Sequence, residues 1–87
     1  MPLHKALAAA LGDEVVILDA EGRNLLWLDS WAARVWRSCE GSSLGAIRST
    51  AGGTPARVDV TLQALAGAGL ILAVGDTWVR SPVEWVP

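Results

Sequence analysis

Between residues 15 and 28 the chain carries two short apolar runs of strand length, and beyond Asp29 the apolar positions recur at the longer spacing of a helix. Residues 15–18, VVIL, are β-branched and aliphatic and predict a strand. Asp19-Ala20-Glu21-Gly22 supplies turn chemistry, with Gly22 as the residue at positive φ. Residues 24–28, NLLWL, predict the second strand of a hairpin. Alternation puts Leu26 and Leu28 on one face and Leu25 and Trp27 on the other. A helix is then expected from Asp29-Ser30, either of which can cap it, to a stop at Gly41. Its apolar stripe is Ala32, Val35, Trp36 and Cys39, while Arg34, Arg37 and Glu40 fall elsewhere.

The flanks are less uniform. LHKALAAAL at residues 3–11 is a good helix former, with Leu3, Leu7 and Leu11 at helical spacing, although a strand here would complete a small sheet. Residues 44–49 read as a short helix weakened by Gly45, and residues 50–53 as loop. Thr54-Pro55 is a start signal, a capping residue followed by proline at the first helical position. The helix it opens, residues 55–67, has Val58, Leu62 and Leu65 as its core face and ends at Gly67 and Gly69. Residues 70–74 and 77–80 read as a second hairpin across Gly75-Asp76. Residues 81–87 contain two prolines and are expected to be irregular. The class expected is α+β and winged-helix-like: a small N-terminal antiparallel sheet, three helices and a C-terminal hairpin.

The length of 87 residues allows one small domain, residues 1–87, with a thin stability margin. Hydrophobic content is 52%, with five Trp and no Phe or Tyr, and five Trp on so small a body cannot all be buried. A net charge of −2 and a pI near 5.1 argue against a protein that tracks a nucleic-acid backbone. No secretory signal is visible. The longest uncharged run, residues 60–75, is too short and too glycine-rich for the ~20 apolar residues of a membrane span. A cytoplasmic protein with no membrane partner is the expectation.

Reactive chemistry is sparse. One cysteine, Cys39, excludes an internal disulfide and a cysteine zinc site, and its place on the apolar stripe reads as a small buried hydrophobe. His4 stands alone near the terminus. Gly52-Gly53 lacks the Lys-Ser/Thr of a phosphate loop. Asp13-Glu14 and Asp19/Glu21 read as turn and strand-end acids. Trp36 reads as core, Trp27 as contact or packing in equal measure, and Trp78 and Trp85 as covers over apolar surface. Neither an enzyme nor a cofactor is expected.

The stretch DEVVILDAEGRNLLWLDSWAARVWRSCEG resembles the PqqD-like domains, which recognise the leader peptides of ribosomally made, modified peptides. The likeness rests on the strand ending at Asp19 with a turn closed by Gly22, and on LLWLD followed by the helix with Trp36 and Glu40-Gly41. It rests also on Val58, Leu62, Leu65 and Gly69-Leu70-Ile71 in the last helix, and covers residues 10–72. Asp29-Ser30-Trp31 stands where the family often has Asn-Pro-Thr-like residues, Arg57 where it often has an acid, and Thr61 where it usually has a bulky apolar residue. Residues 72–87 are extra.

The resemblance implies a three-stranded sheet whose first strand lies within residues 3–11. It implies a leader peptide added as a further strand in a groove between strand 24–29 and helix 55–68. Strand-side contacts would be Leu25, Leu26, Trp27 and Leu28. Helix-side contacts would be Arg57, Val58, Thr61, Leu62 and Leu65, with Arg57 able to pair an acidic group of the peptide. The implied function is a non-catalytic peptide chaperone, its partners a precursor leader and a modifying enzyme (a radical enzyme, cyclase, protease or ligase). Two other classes fit the pattern: a winged-helix DNA-binding regulator, whose reading helix would have one basic residue, and a structural or dimerisation module using exposed tryptophans.

Overall fold

A computed structural model describes residues 5–19 and 21–86. Leu3, His4 and Ala20, on which parts of the expectations above fall, lie outside the described residues. The elements run β1 (Ala6–Leu11), β2 (Glu14–Leu18), β3 (Leu25–Leu28), α1 (Ser30–Arg37), β4 (Glu40–Ser43), α2 (Leu44–Ala51), α3 (Pro55–Gly67), β5 (Ile71–Val74), β6 (Thr77–Arg80) and β7 (Val83–Trp85). The protein is α+β, with an N-terminal sheet, three helices and a second sheet formed largely by C-terminal strands. No helix among the described residues is long and apolar enough to cross a membrane. Two compact units divide the chain: residues 1–33 with 82–87, and residues 34–81, the boundary falling inside α1.

The first unit holds a four-stranded sheet in the order β3-β2-β1-β7. β1 and β2 are antiparallel, with Leu11 opposite Glu14, so Gly12-Asp13 makes the turn. The helix that propensity favours for residues 3–11 is not formed over residues 6–11, which are strand. Ladder partners on both sides of β1 outweigh the helical preference of its alanines. β3 pairs antiparallel with β2, from Val15 opposite Leu28 to Leu18 opposite Leu25. Between them the Gly22 N–H donates to the Asp19 carbonyl, and Gly22 has the positive φ the turn requires. Residues 81–87 are not irregular throughout as expected: Val83–Trp85 lies parallel to β1, pairing Ala6 with Val83 and Ala8 with Trp85. A three-residue strand between prolines has no period to read, and long-range pairing creates it. Ala8, Val15, Ile17 and Leu28 are the sheet's buried positions.

In α1 the Asp29 carboxylate accepts from the Ala32 N–H at 2.8 Å, a helix cap of the expected kind. The helix ends at Arg37 rather than at Gly41. Its last turn tightens, the Cys39 N–H reaching the Trp36 carbonyl at 3.1 Å. The Cys39 carbonyl then accepts from the Arg80 N–H and the chain enters β4. Gly41 is the extra residue of an irregularity between Glu40 and Ser42, and its φ of 78° suits that role.

The second unit's sheet has the order β4-β6-β5. Helix, strand, helix, helix and a two-stranded wing is the order of a winged helix. Ser43 caps α2 through the Ala46 N–H, and Thr54 caps α3 through the Arg57 N–H with Pro55 following. α3 packs on α2 and β5. The Arg48 Nη2 reaches both Asp59 oxygens, at 2.8 and 2.9 Å, and links α2 to α3. Buried here are Val35, Trp36, Cys39, Ile47, Val58, Leu62, Leu65 and Ile71. Trp36 is core as expected, its indole N–H donating to the Leu70 carbonyl at 3.1 Å.

Cys39 is fully buried, and burial pushes its thiol from 9.0 up to about 11, against the opposing pull of Arg80. Because the folded pKa is raised, the stability tied to the neutral thiol is intact below pH 9. It is lost as pH rises from 9 towards about 11. At about pH 8 the native protein should therefore resist thiol alkylation, and should react at the free-cysteine rate once denaturant unfolds it. Mass spectrometry of iodoacetamide-treated protein reads this directly, and rapid native labelling would show the thiol to be accessible.

Candidate functional site

β3 is the end strand of its sheet: β2 pairs with one side, and among the described residues no strand pairs with the other. The ladder shows which backbone groups are left over. The Asp19 N–H donates to the Asn24 carbonyl at 3.0 Å, which makes that pair a hydrogen-bonded one. In a continuous antiparallel register hydrogen-bonded and non-bonded pairs alternate. Ile17–Leu26 and Val15–Leu28 are then bonded pairs, and Leu18–Leu25 and Val16–Trp27 are not. The N–H and C=O groups of Leu25 and Trp27 therefore point away from β2, towards the open border.

The side chains follow the expected alternation. Leu28 is buried and Leu26 half-buried on one face, while Leu25 and Trp27 are 64% and 61% exposed on the other. Trp27 is oriented by its indole N–H, which donates to the Glu14 carboxylate at 2.7 Å. Beyond the strand's first residue, the Asp19 carboxylate accepts from the Arg23 backbone N–H and the Asn24 amide. These bonds hold its pKa below the usual carboxylate value. This border thus presents two outward backbone positions, two large apolar side chains and no reactive group.

The helix-side residues belong to the second unit. Val58, Leu62 and Leu65 share the inner face of α3 and are almost fully buried. Expected as peptide contacts, they belong to the core instead, because they face the neighbours on which α3 packs. Thr61 is half-buried, its hydroxyl donating to the Arg57 carbonyl, and Arg57 is exposed. The exposed face of α3 carries Ala56, Val60, Gln63 and Ala64 beside Arg57.

Sequence reasoning missed a second open border. β5 ends the other sheet, with Leu72 and Val74 more than half exposed. An apolar strand bounded by Gly69 and Gly75 carries that signal, since natural edges are usually blunted by charge or proline. β7, the far end of the first sheet, is blunted in this way: it has three residues, follows Pro82 and carries Glu84 at its centre. Among the described residues no cluster of His, Cys, Asp and Glu could hold a metal ion.

A scan of protein-family models, a search of curated proteins and a search of solved structures each find no match to this chain.

Proposed function

We propose that this protein is a cytoplasmic, non-catalytic peptide-binding module. It captures an extended segment of a ribosomally made precursor by adding it as a strand to β3, and presents the remainder to a modifying enzyme. The observation that carries the reading is the open border of β3. Its outward N–H and C=O groups supply affinity regardless of guest sequence, and the side chains beside them supply selectivity. Three antiparallel strands followed by three helices, here with β4 between the first two helices, is the order that the resemblance to PqqD-like domains implies, and it supports the same reading.

Hydrogen exchange tests it. Candidate leaders encoded beside this gene should slow exchange at the Leu25 and Trp27 amides while leaving those of Leu26 and Leu28 unchanged. Slowing at β5 alone would move the site to the other border and reject this one.

The order of elements in the second unit favours one other reading, a winged-helix DNA-binding protein. It is the weaker, because α3 offers Arg57 as its single basic residue, Arg48 is engaged by Asp59, and the exposed positions beside Arg57 are, Gln63 apart, small or apolar. Binding to random duplex that falls steeply with salt would favour it.

A further inference from the structure

Charge is divided unevenly between the two units. In the first, Lys5 and Arg23 stand against Asp13, Glu14, Asp19, Glu21, Asp29 and Glu84, a balance of −4. In the second, five arginines stand against Glu40, Asp59 and Asp76, a balance of +2. Five of the six acids of the first unit bracket β3. Asp29 follows Leu28, and Glu14 precedes Val15, the residue opposite Leu28. Asp13 lies next to Glu14, and Asp19 and Glu21 lie at the Leu25 end with Arg23.

The outer face of the sheet is also unusual. Leu7, Leu18 and Leu25 form one row across three strands, and Ala9, Val16 and Trp27 form the next. An antiparallel sheet with one face on the core ordinarily turns polar residues to solvent on the other. Here the solvent face is apolar apart from Glu14, with Leu7 and Leu11 exposed alongside Leu25 and Trp27.

We infer that the guest of β3 is a cationic extended peptide with apolar side chains at alternate positions. This rests on the strand-addition reading above. A strand laid along β3 sets every second side chain on the outer face, within reach of Leu25 and Trp27. Basic residues flanking the paired stretch meet the acids at its ends. Both ends of β3 carry net negative charge, so the preference for a basic guest is the same whichever way the guest runs. It is the opposite of the acidic partner that Arg57 suggested from sequence. A second copy of this chain fits less well, since it would bring one acidic border against another.

The test uses the full chain and synthetic peptides. One has alternating valine and serine flanked by lysine pairs, one has the same core flanked by glutamate pairs, and one keeps the lysines but has serine throughout the core. Affinity is read by tryptophan fluorescence and strand addition by exchange at the Leu25 and Trp27 amides. The lysine–valine peptide should bind, with affinity that falls as salt is added. The glutamate version should bind about tenfold more weakly at low salt, and the all-serine core should also lose affinity. Equal binding of the lysine and glutamate versions, with both protecting β3, would overturn this inference and leave strand addition standing. Undiminished binding of the all-serine core would do the same for its apolar half. Failure of every peptide to protect β3 would remove both readings.

Discussion

Replacing Trp27 with proline should leave the protein folded and abolish capture of an extended guest. Proline removes the backbone N–H at this position, and the alternation of the ladder directs that group towards the open border rather than to β2. An edge strand tolerates proline where its N–H faces solvent, so the sheet loses no ladder bond. The guest loses a hydrogen bond and is left with an unmatched carbonyl. Together these cost about 2–4 kcal/mol, on the order of a hundredfold or more in affinity. Trp27→Ala is the necessary comparison. It deletes the indole and its bond to Glu14 but keeps the N–H, so it should weaken binding without ending it. Circular dichroism establishes folding and fluorescence of an end-labelled peptide reads affinity. Full affinity in a folded Trp27→Pro protein would refute backbone pairing at β3.

The largest effect on stability should come from Trp36. Its side chain has no exposed surface, its indole N–H holds the Leu70 carbonyl, and the Arg80 guanidinium lies 5.4 Å from the ring centroid. Truncation to alanine opens a cavity and takes one of two donors from that carbonyl, which keeps its bond from the Ser81 N–H, at a cost of about 3–5 kcal/mol. A chain of 87 residues has on the order of 4–13 kcal/mol in total, so Trp36→Ala should consume much of the margin. Trp36→Phe retains most of the volume and loses one of the carbonyl's two donors, for about 0.5–1.5 kcal/mol. Urea unfolding followed by circular dichroism separates the two, and a loss below about 1 kcal/mol for the alanine variant would contradict this account.

How much was legible in the sequence depended on whether a segment's structure is local. β2 and β3 have apolar runs of strand length, α3 has Thr54-Pro55 and an apolar period, and the β5–β6 hairpin has Gly75-Asp76. Each was readable because its own residues dictate it. β1, β4 and β7 were not. β1 is largely alanine, β4 is Glu-Gly-Ser-Ser, and β7 is three residues long. β4 and β7 are strands because a distant partner supplies their hydrogen bonds, and β1, although joined to β2 by the tight Gly12-Asp13 turn, has no alternating apolar pattern of its own to show it. The candidate site divided in the same way. The faces of Leu25, Leu26, Trp27 and Leu28 followed from alternation. The depth of Val58, Leu62 and Leu65 did not: a helical stripe identifies an apolar face without saying whether the protein or a guest covers it.

The unequal ends of the first sheet set how far it can grow. β3 invites another strand, whereas β7, short, charged and preceded by proline, discourages one. Endless stacking through this sheet alone needs two receptive sides, so its own ends work against it. The first sheet takes one further strand and stops there.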